Sequence, residues 1–192
     1  MIKMRMVIAL CLVSASLVYA AEEGRYVNER YGFSIAAPKG WFRMNPQGDE
    51  RFVVKFTKYQ KEKRGVFNPA MIITADDVSV LPVTRPLDFA NFIFQRIEEQ
   101  YDVKESPKEL EMSGLPCAAL SVGMPLEMIA TGEAFYGVNT LYFFLKDKTA
   151  ITLSIIDRGD THSENIPVFQ EAVQSFRLEG VPGKTESGTQ VQ

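Results

Sequence analysis

The apolar positions of this chain change their period several times, and those changes mark its elements. Tyr26-Val27-Asn28 and Phe33 to Ala36 read as short strands around a turn at Arg30-Tyr31-Gly32. Pro38-Lys39-Gly40 ends the second strand, and Trp41-Phe42 follows. Arg51 to Thr57 is β-rich and mostly alternating, and Lys58 to Arg64 reads as a charged, solvated loop. Met71 to Ala75 is apolar on both faces, which predicts an inner strand.

The period then becomes helical. Leu87, Ala90, Phe94, Ile97 and Tyr101 recur at spacings of three and four, and Phe89 and Ile93 widen the stripe. Arg96, Glu98, Glu99 and Gln100 fall mostly on the other side. The spacing predicts an amphipathic helix from about Arg85 to Tyr101 lying on a sheet face. Thr84 is placed to cap it, Pro86 suits its first turn, and Asp88 favours its positive end.

Strand signals return with Glu109 to Met112 and Cys117 to Val122, on either side of a turn at Gly114-Leu115-Pro116. Phe135 to Leu145 and Ala150 to Ile156 predict a hairpin around Lys146-Asp147-Lys148. Thr161-His162-Ser163-Glu164 has capping-box spacing, with Thr161 and Glu164 each able to satisfy a free backbone N–H. It opens a second helix striped by Ile166, Phe169, Ala172, Val173 and Phe176. The expected architecture is a single α/β domain over residues 21–178 with an antiparallel sheet. Residues 179–192 lack apolar periodicity and are expected to form a flexible tail.

The first residues change the picture of where the domain works. Lys3 and Arg5 precede an uncharged apolar run from Met6 to Val18, and Val18-Tyr19-Ala20 offers small residues at the positions a signal peptidase reads. Residues 1–20 are therefore read as a cleaved secretory signal peptide, with a run too short to span a bilayer comfortably. Its loss takes away two of the 21 basic residues and none of the 24 acidic ones. An exported, soluble protein is expected, periplasmic or secreted, or in the thylakoid lumen of a cyanobacterium. No membrane span is expected after cleavage.

Composition narrows the chemistry. The 192 residues are 46% hydrophobic, enough for one core, and the formal charge is −3. With no basic excess to neutralise phosphates, no nucleic-acid partner is expected. Cys11 leaves with the leader, so Cys117 has no internal disulfide partner. It lies in an apolar run and reads as a small buried hydrophobe, with an intermolecular disulfide or reactive thiol as the alternative.

His162 is the only histidine, and in a helix-start signal it reads as a solvated polar residue. No Gly-x-Ser-x-Gly elbow accompanies it. Met112, Met124 and Met128 are soft thioethers, read as gap fillers or loop residues rather than copper ligands. Asp76-Asp77, Glu98-Glu99 and Asp157 lack calcium-loop spacing and read as charged surface. Arg158-Gly159-Asp160 spells an integrin-binding tripeptide but falls where a turn is expected. Trp41 is expected to cap the core. Phe92 and Tyr136 are the candidates for exposed aromatics.

Tyr31-Gly32-Phe33-Ser34-Ile35 followed by Pro38-Lys39-Gly40-Trp41 resembles the opening signature of PsbP-like domains. The Gly114-Leu115-Pro116 turn and Ala172 to Phe176 (AVQSF) resemble the rest of that pattern, over roughly residues 25–178. The resemblance implies an antiparallel sheet sandwiched between helices. The family's members are mainly binding proteins, among them extrinsic photosystem subunits, secretion chaperones and a nuclear import factor, and they share no catalytic residues that would carry over.

The function expected is that of a non-catalytic binding or accessory protein acting through protein–protein interaction in the cell envelope. The alternative is a small-ligand carrier or hydrolase with a cleft between sheet and helix. No cofactor is expected, and no catalytic, metal or binding residue is assigned.

Overall fold

The computed structural model describes residues 24–44, 51–61, 66–128 and 131–179. The leader expected over residues 1–20, and all of the expected tail except Glu179, lie outside them. Among the described residues the chain forms ten strands and two helices, in the order β1 (Arg25–Asn28), β2 (Phe33–Ala36), β3 (Phe42–Met44), β4 (Phe52–Thr57), β5 (Ala70–Asp77), α1 (Pro86–Ile97), β6 (Asp102–Met112), β7 (Leu115–Glu127), β8 (Ala134–Lys146), β9 (Thr149–Arg158), α2 (His162–Gln174) and β10 (Arg177–Leu178). Seven strands make one antiparallel sheet in the order β3-β4-β5-β9-β8-β7-β6. A small antiparallel sheet, β1-β2-β10, stands apart from it.

Alternation along the strands divides the core in two. Leu115 and Cys117 of β7 join Phe144, Leu153 and Ile155 in a cluster with Phe169, Val173 and Phe176 at α2, and with Phe33 and Ile35 of the small sheet. Ala118, Leu120 and Val122 of the same strand join Phe143 and Ala150 in a second cluster, with Phe89 and Ala90 of α1. Successive strand residues point to opposite faces, so the clusters lie on opposite faces of the large sheet. Phe176 is the hinge of the first cluster, with its ring centroid 4.3 Å from that of Phe144 and 5.6 Å from that of Phe33.

The helices are staggered. α1 packs on β6, β7 and β8, whereas α2 packs on β9 and β2. The α2 side of β6–β8 is therefore not carpeted by helix.

Several local expectations are corrected. The first helix ends at Ile97, not Tyr101: Glu98 to Gln100 are exposed and bury nothing by staying helical, while Tyr101 turns into the core ahead of β6. Thr84 does not cap it. The Asp88 carboxylate instead accepts from the Thr84 amide (3.1 Å), the Thr84 hydroxyl (2.9 Å) and the Arg85 amide (2.9 Å), since Pro86 has no N–H to offer.

The capping box predicted at Thr161 and Glu164 is likewise absent, because the Thr161 hydroxyl donates to Asp157 Oδ1 at 3.1 Å. The turn between β6 and β7 is Ser113-Gly114, both at positive φ (55° and 73°), and Leu115 and Pro116 already belong to the strand. This two-residue geometry needs left-handed backbone at both positions, which Gly114 adopts freely.

Candidate functional site

The uncovered part of the sheet forms a groove of about 670 Å³. Its floor is built from small and hydroxylated residues of the central strands: Ala119 and Ser121 from β7, Val138, Thr140 and Tyr142 from β8. Ser121 is buried, and its hydroxyl pairs with that of Thr140 across the strands at 3.1 Å. Lys104, Glu105 and Lys108 of β6 form one wall, and His162, Ile166, Gln170 and Gln174 of α2 form the other. Leu110 and Met112 close the far end, where the Ser113 hydroxyl donates to the Gln174 carbonyl.

Two devices set the walls. The lysine wall stands on an edge strand with register shifts between Val103 and Glu105 and between Glu105 and Lys108, which turn neighbouring residues toward the same side. Its start is clamped by Tyr136. The Tyr136 hydroxyl donates to Asp102 Oδ2 at 2.6 Å, and Lys104 Nζ reaches the same oxygen at 2.7 Å. The Tyr136 ring crosses the bare backbone of Gly123, where an added Cβ would stand 1.7 Å from the hydroxyl. The Lys104 and Tyr136 bonds hold the Asp102 carboxyl below its usual range.

The helix wall is fixed from beneath by a buried carboxylate. Asp157, 0% exposed, accepts from Asn165 Nδ2 (2.7 Å), the Thr161 hydroxyl (3.1 Å) and the Arg158 amide (2.8 Å). Asn165 Oδ1 in turn accepts from Lys58 at 3.1 Å, tying α2 to the loop after β4. The expectation that Asp157 is surface charge is thus corrected; three donors compensate its burial.

His162 stands over this network. Its Nδ1 is buried without a hydrogen-bond partner, and burial lowers its pKa against the opposing pull of Asp157. It is a half-buried wall residue, not the solvated one expected. Near Lys104 and Val138 the groove meets a second cavity of about 480 Å³, lined also by Phe135, Tyr136 and Arg158.

Other candidates go elsewhere. Cys117 is buried, its thiol pushed up to about 11 by desolvation, and it lines a different cavity, beside Arg85 and Glu109. Met112 packs on the α2 side and Met124 on the α1 side, so the thioethers do not converge. Trp41 packs on the core with its ring edge-on to Phe169, centroids 5.0 Å apart. Arg158 and Asp160 pair with each other at 3.1 Å in the turn after β9. Phe92 is half-buried under the Arg96 guanidinium, and Tyr136 is 42% exposed. Sequence reasoning assigned no role to the wall residues Lys104, Lys108, Gln170 and Gln174; Gln170 and Gln174 recur at helix spacing, and the two register shifts of β6 hide the relation of Lys104 to Lys108.

No family model matches the chain, and no curated protein matches it. Solved structures do. Cyanobacterial PsbP from Synechocystis sp. PCC 6803 superposes with a TM-score of 0.54 at 13% identity, over 80% of this chain and 91% of that one. LpqN of Mycobacterium tuberculosis, described as involved in cell envelope biogenesis, gives 0.51 at 10% identity over 76% and 82%. A Pseudomonas aeruginosa protein of unknown function gives 0.50 at 12% identity over 84% and 97%. The fold is PsbP-like. Among the described residues no helix is long and apolar enough to cross a membrane.

Proposed function

We propose that the staggered helix–sheet–helix arrangement is the PsbP-like sandwich, and that the protein is an exported, non-catalytic accessory protein of the cell envelope that binds a protein partner in the α2 groove. The groove carries this reading: it runs from Lys104 to Met112 along one wall and from His162 to Gln174 along the other, with hydrogen-bonding side chains on both sides of an apolar and hydroxylated floor. Three further observations support it. The leader pattern favours export, the superposable proteins include an envelope-biogenesis protein, and Cys117 and His162 line different cavities and make no nucleophile–base pair.

The groove's volume also suits a small-ligand carrier, since pockets for such molecules run from about 300 to 1,000 Å³. Crosslinking and affinity capture of the tagged protein from its native envelope separate the readings. A stoichiometric partner lost on Gln170→Trp, which fills the groove from an exposed position, supports the protein-binding reading. A partner retained by that variant moves the interface off the groove. A small molecule that co-purifies in place of a protein establishes the carrier.

A further inference from the structure

Resting on that reading, we propose that the groove is gated by pH: protonation of His162 swings its ring out of the α2 wall and releases the bound partner. His162, Ile166, Gln170 and Gln174 recur every fourth residue along one side of α2, and all four line the groove. His162 is the end rung of this ladder, so its departure shortens the wall and uncovers Ile166.

An unpaired atom makes that rung sensitive to acid. His162 Nδ1 is buried and has no hydrogen-bond partner. The neutral ring tolerates this with its proton on Nε2, because Nδ1 is then a bare acceptor. An added proton turns Nδ1 into a buried, charged donor with nothing to receive it, and the ring must move outward to be solvated. The ring's place in the helix adds to the effect. His162 is the first residue of α2, where the partial positive charge of the helix end opposes a cation.

The surrounding charges do not reverse this. Asp157 on β9 favours the cation, yet it makes no bond to the ring and already accepts from Asn165, Thr161 and Arg158. Lys58, bonded to Asn165 from the loop after β4, opposes the cation. Arg158 and Asp160 pair with each other in the turn before α2, and Glu164 on α2 is exposed. Across the groove Lys104 and Lys108 each carry a carboxylate of their own strand, from Asp102 and Glu105, and Tyr142 of β8 is neutral. Burial therefore outweighs the pull of Asp157. The outward ring keeps its ordinary pKa of 6.5 and the wall-held ring a lower one, so the wall is complete above that pH and opens as pH falls through it.

His162 is the only histidine, so long-range 1H–15N spectra of 15N,13C-labelled protein follow its ring without ambiguity. At pH 7.5 the ring should be in the Nε2–H form. Between pH 7.5 and 5 the Ile166 methyl signals should move with the imidazole's own midpoint, below 6.5. In parallel, the partner captured from the native envelope is washed at pH 7.5 and at pH 5.5. At least about fivefold more should elute in acid, and His162→Gln should bring the ratio between the two washes close to one. An Nδ1–H form at pH 7.5, or Ile166 signals that stay in place while the imidazole titrates, overturns the switch. Acid release that His162→Gln retains, or equal elution at the two pH values, overturns it too, and each of these results leaves the groove reading intact. Capture that survives Gln170→Trp removes the groove reading and the gating of a partner with it.

Discussion

Replacing Gly123 by Ala tests the clamp that positions the lysine wall. Gly123 sits in extended β7 and not at positive φ, where a glycine costs about 0.5–1 kcal/mol relative to alanine. On propensity alone Gly123→Ala should stabilise by that amount. The structure predicts the opposite sign. The new Cβ would lie 1.7 Å from the Tyr136 hydroxyl and 2.3 Å from Cζ, so the ring must swing out. Tyr136 is 42% exposed; returning roughly 60–80 Å² of apolar ring to water costs about 1.5–2 kcal/mol at 25 cal/mol per Å². The bond to Asp102 is lost as well. The net expectation is destabilisation by about 1 kcal/mol.

In a Tyr136→Ala background the clash is gone, and the same substitution should stabilise by about 0.5 kcal/mol or more. Urea unfolding of the four proteins in this cycle gives the coupling directly, expected at about 1.5 kcal/mol. Equal effects of Gly123→Ala in both backgrounds would refute the claim that the ring occupies the space over Gly123.

Three further expectations follow from the core and its ionisable groups. Phe176→Ala removes the ring joining Phe33 to Phe144 and should cost about 3–5 kcal/mol in chemical denaturation, whereas a cost under about 1 kcal/mol would place that ring at the surface. With its pKa near 11, Cys117 should resist alkylation at pH 8 in native protein and react fully in guanidinium, as read by peptide mass spectrometry. Burial lowers the pKa of His162 from its ordinary 6.5, so the unfolded chain takes the proton first and stability is lost as pH falls through about 6.5 toward the folded value. The melting temperature should fall between pH 7.5 and 5.5, and His162→Gln should remove most of that fall. The carboxylates lowered by their donors, Asp77, Asp88, Asp102 and Asp160, titrate below this window.

The fold was legible where burial enforces a period. Phe89 and Ala90, or Ile151, Leu153 and Ile155, alternate or recur because each must reach one core. Residues 102–108 carried no such signal. As the first half of an edge strand they face solvent widely, and charges and Pro107 are tolerated there. The strand expected over Cys117 to Val122 stops short of Gly123 and Pro125, yet β7 continues to Glu127; past the start of β6 it has β8 alone as a neighbour, where proline costs little.

The groove was illegible for a different reason. A floor of Ala119, Ser121 and Thr140 is defined by what the staggered helices fail to cover, and relative helix placement leaves no local trace in sequence. Asp157 misled because its three donors come from the chain after it, up to eight residues away.

The outer strand β6 also governs how the protein behaves when crowded. A second chain arriving in the plane of the sheet meets Pro107, whose nitrogen carries no hydrogen, two breaks in register, and Lys104, Glu105, Lys108, Glu109 and Glu111 along the way. Such an edge gives no flat template for adding another strand. Growth into fibrils therefore has no starting point at this end of the sheet.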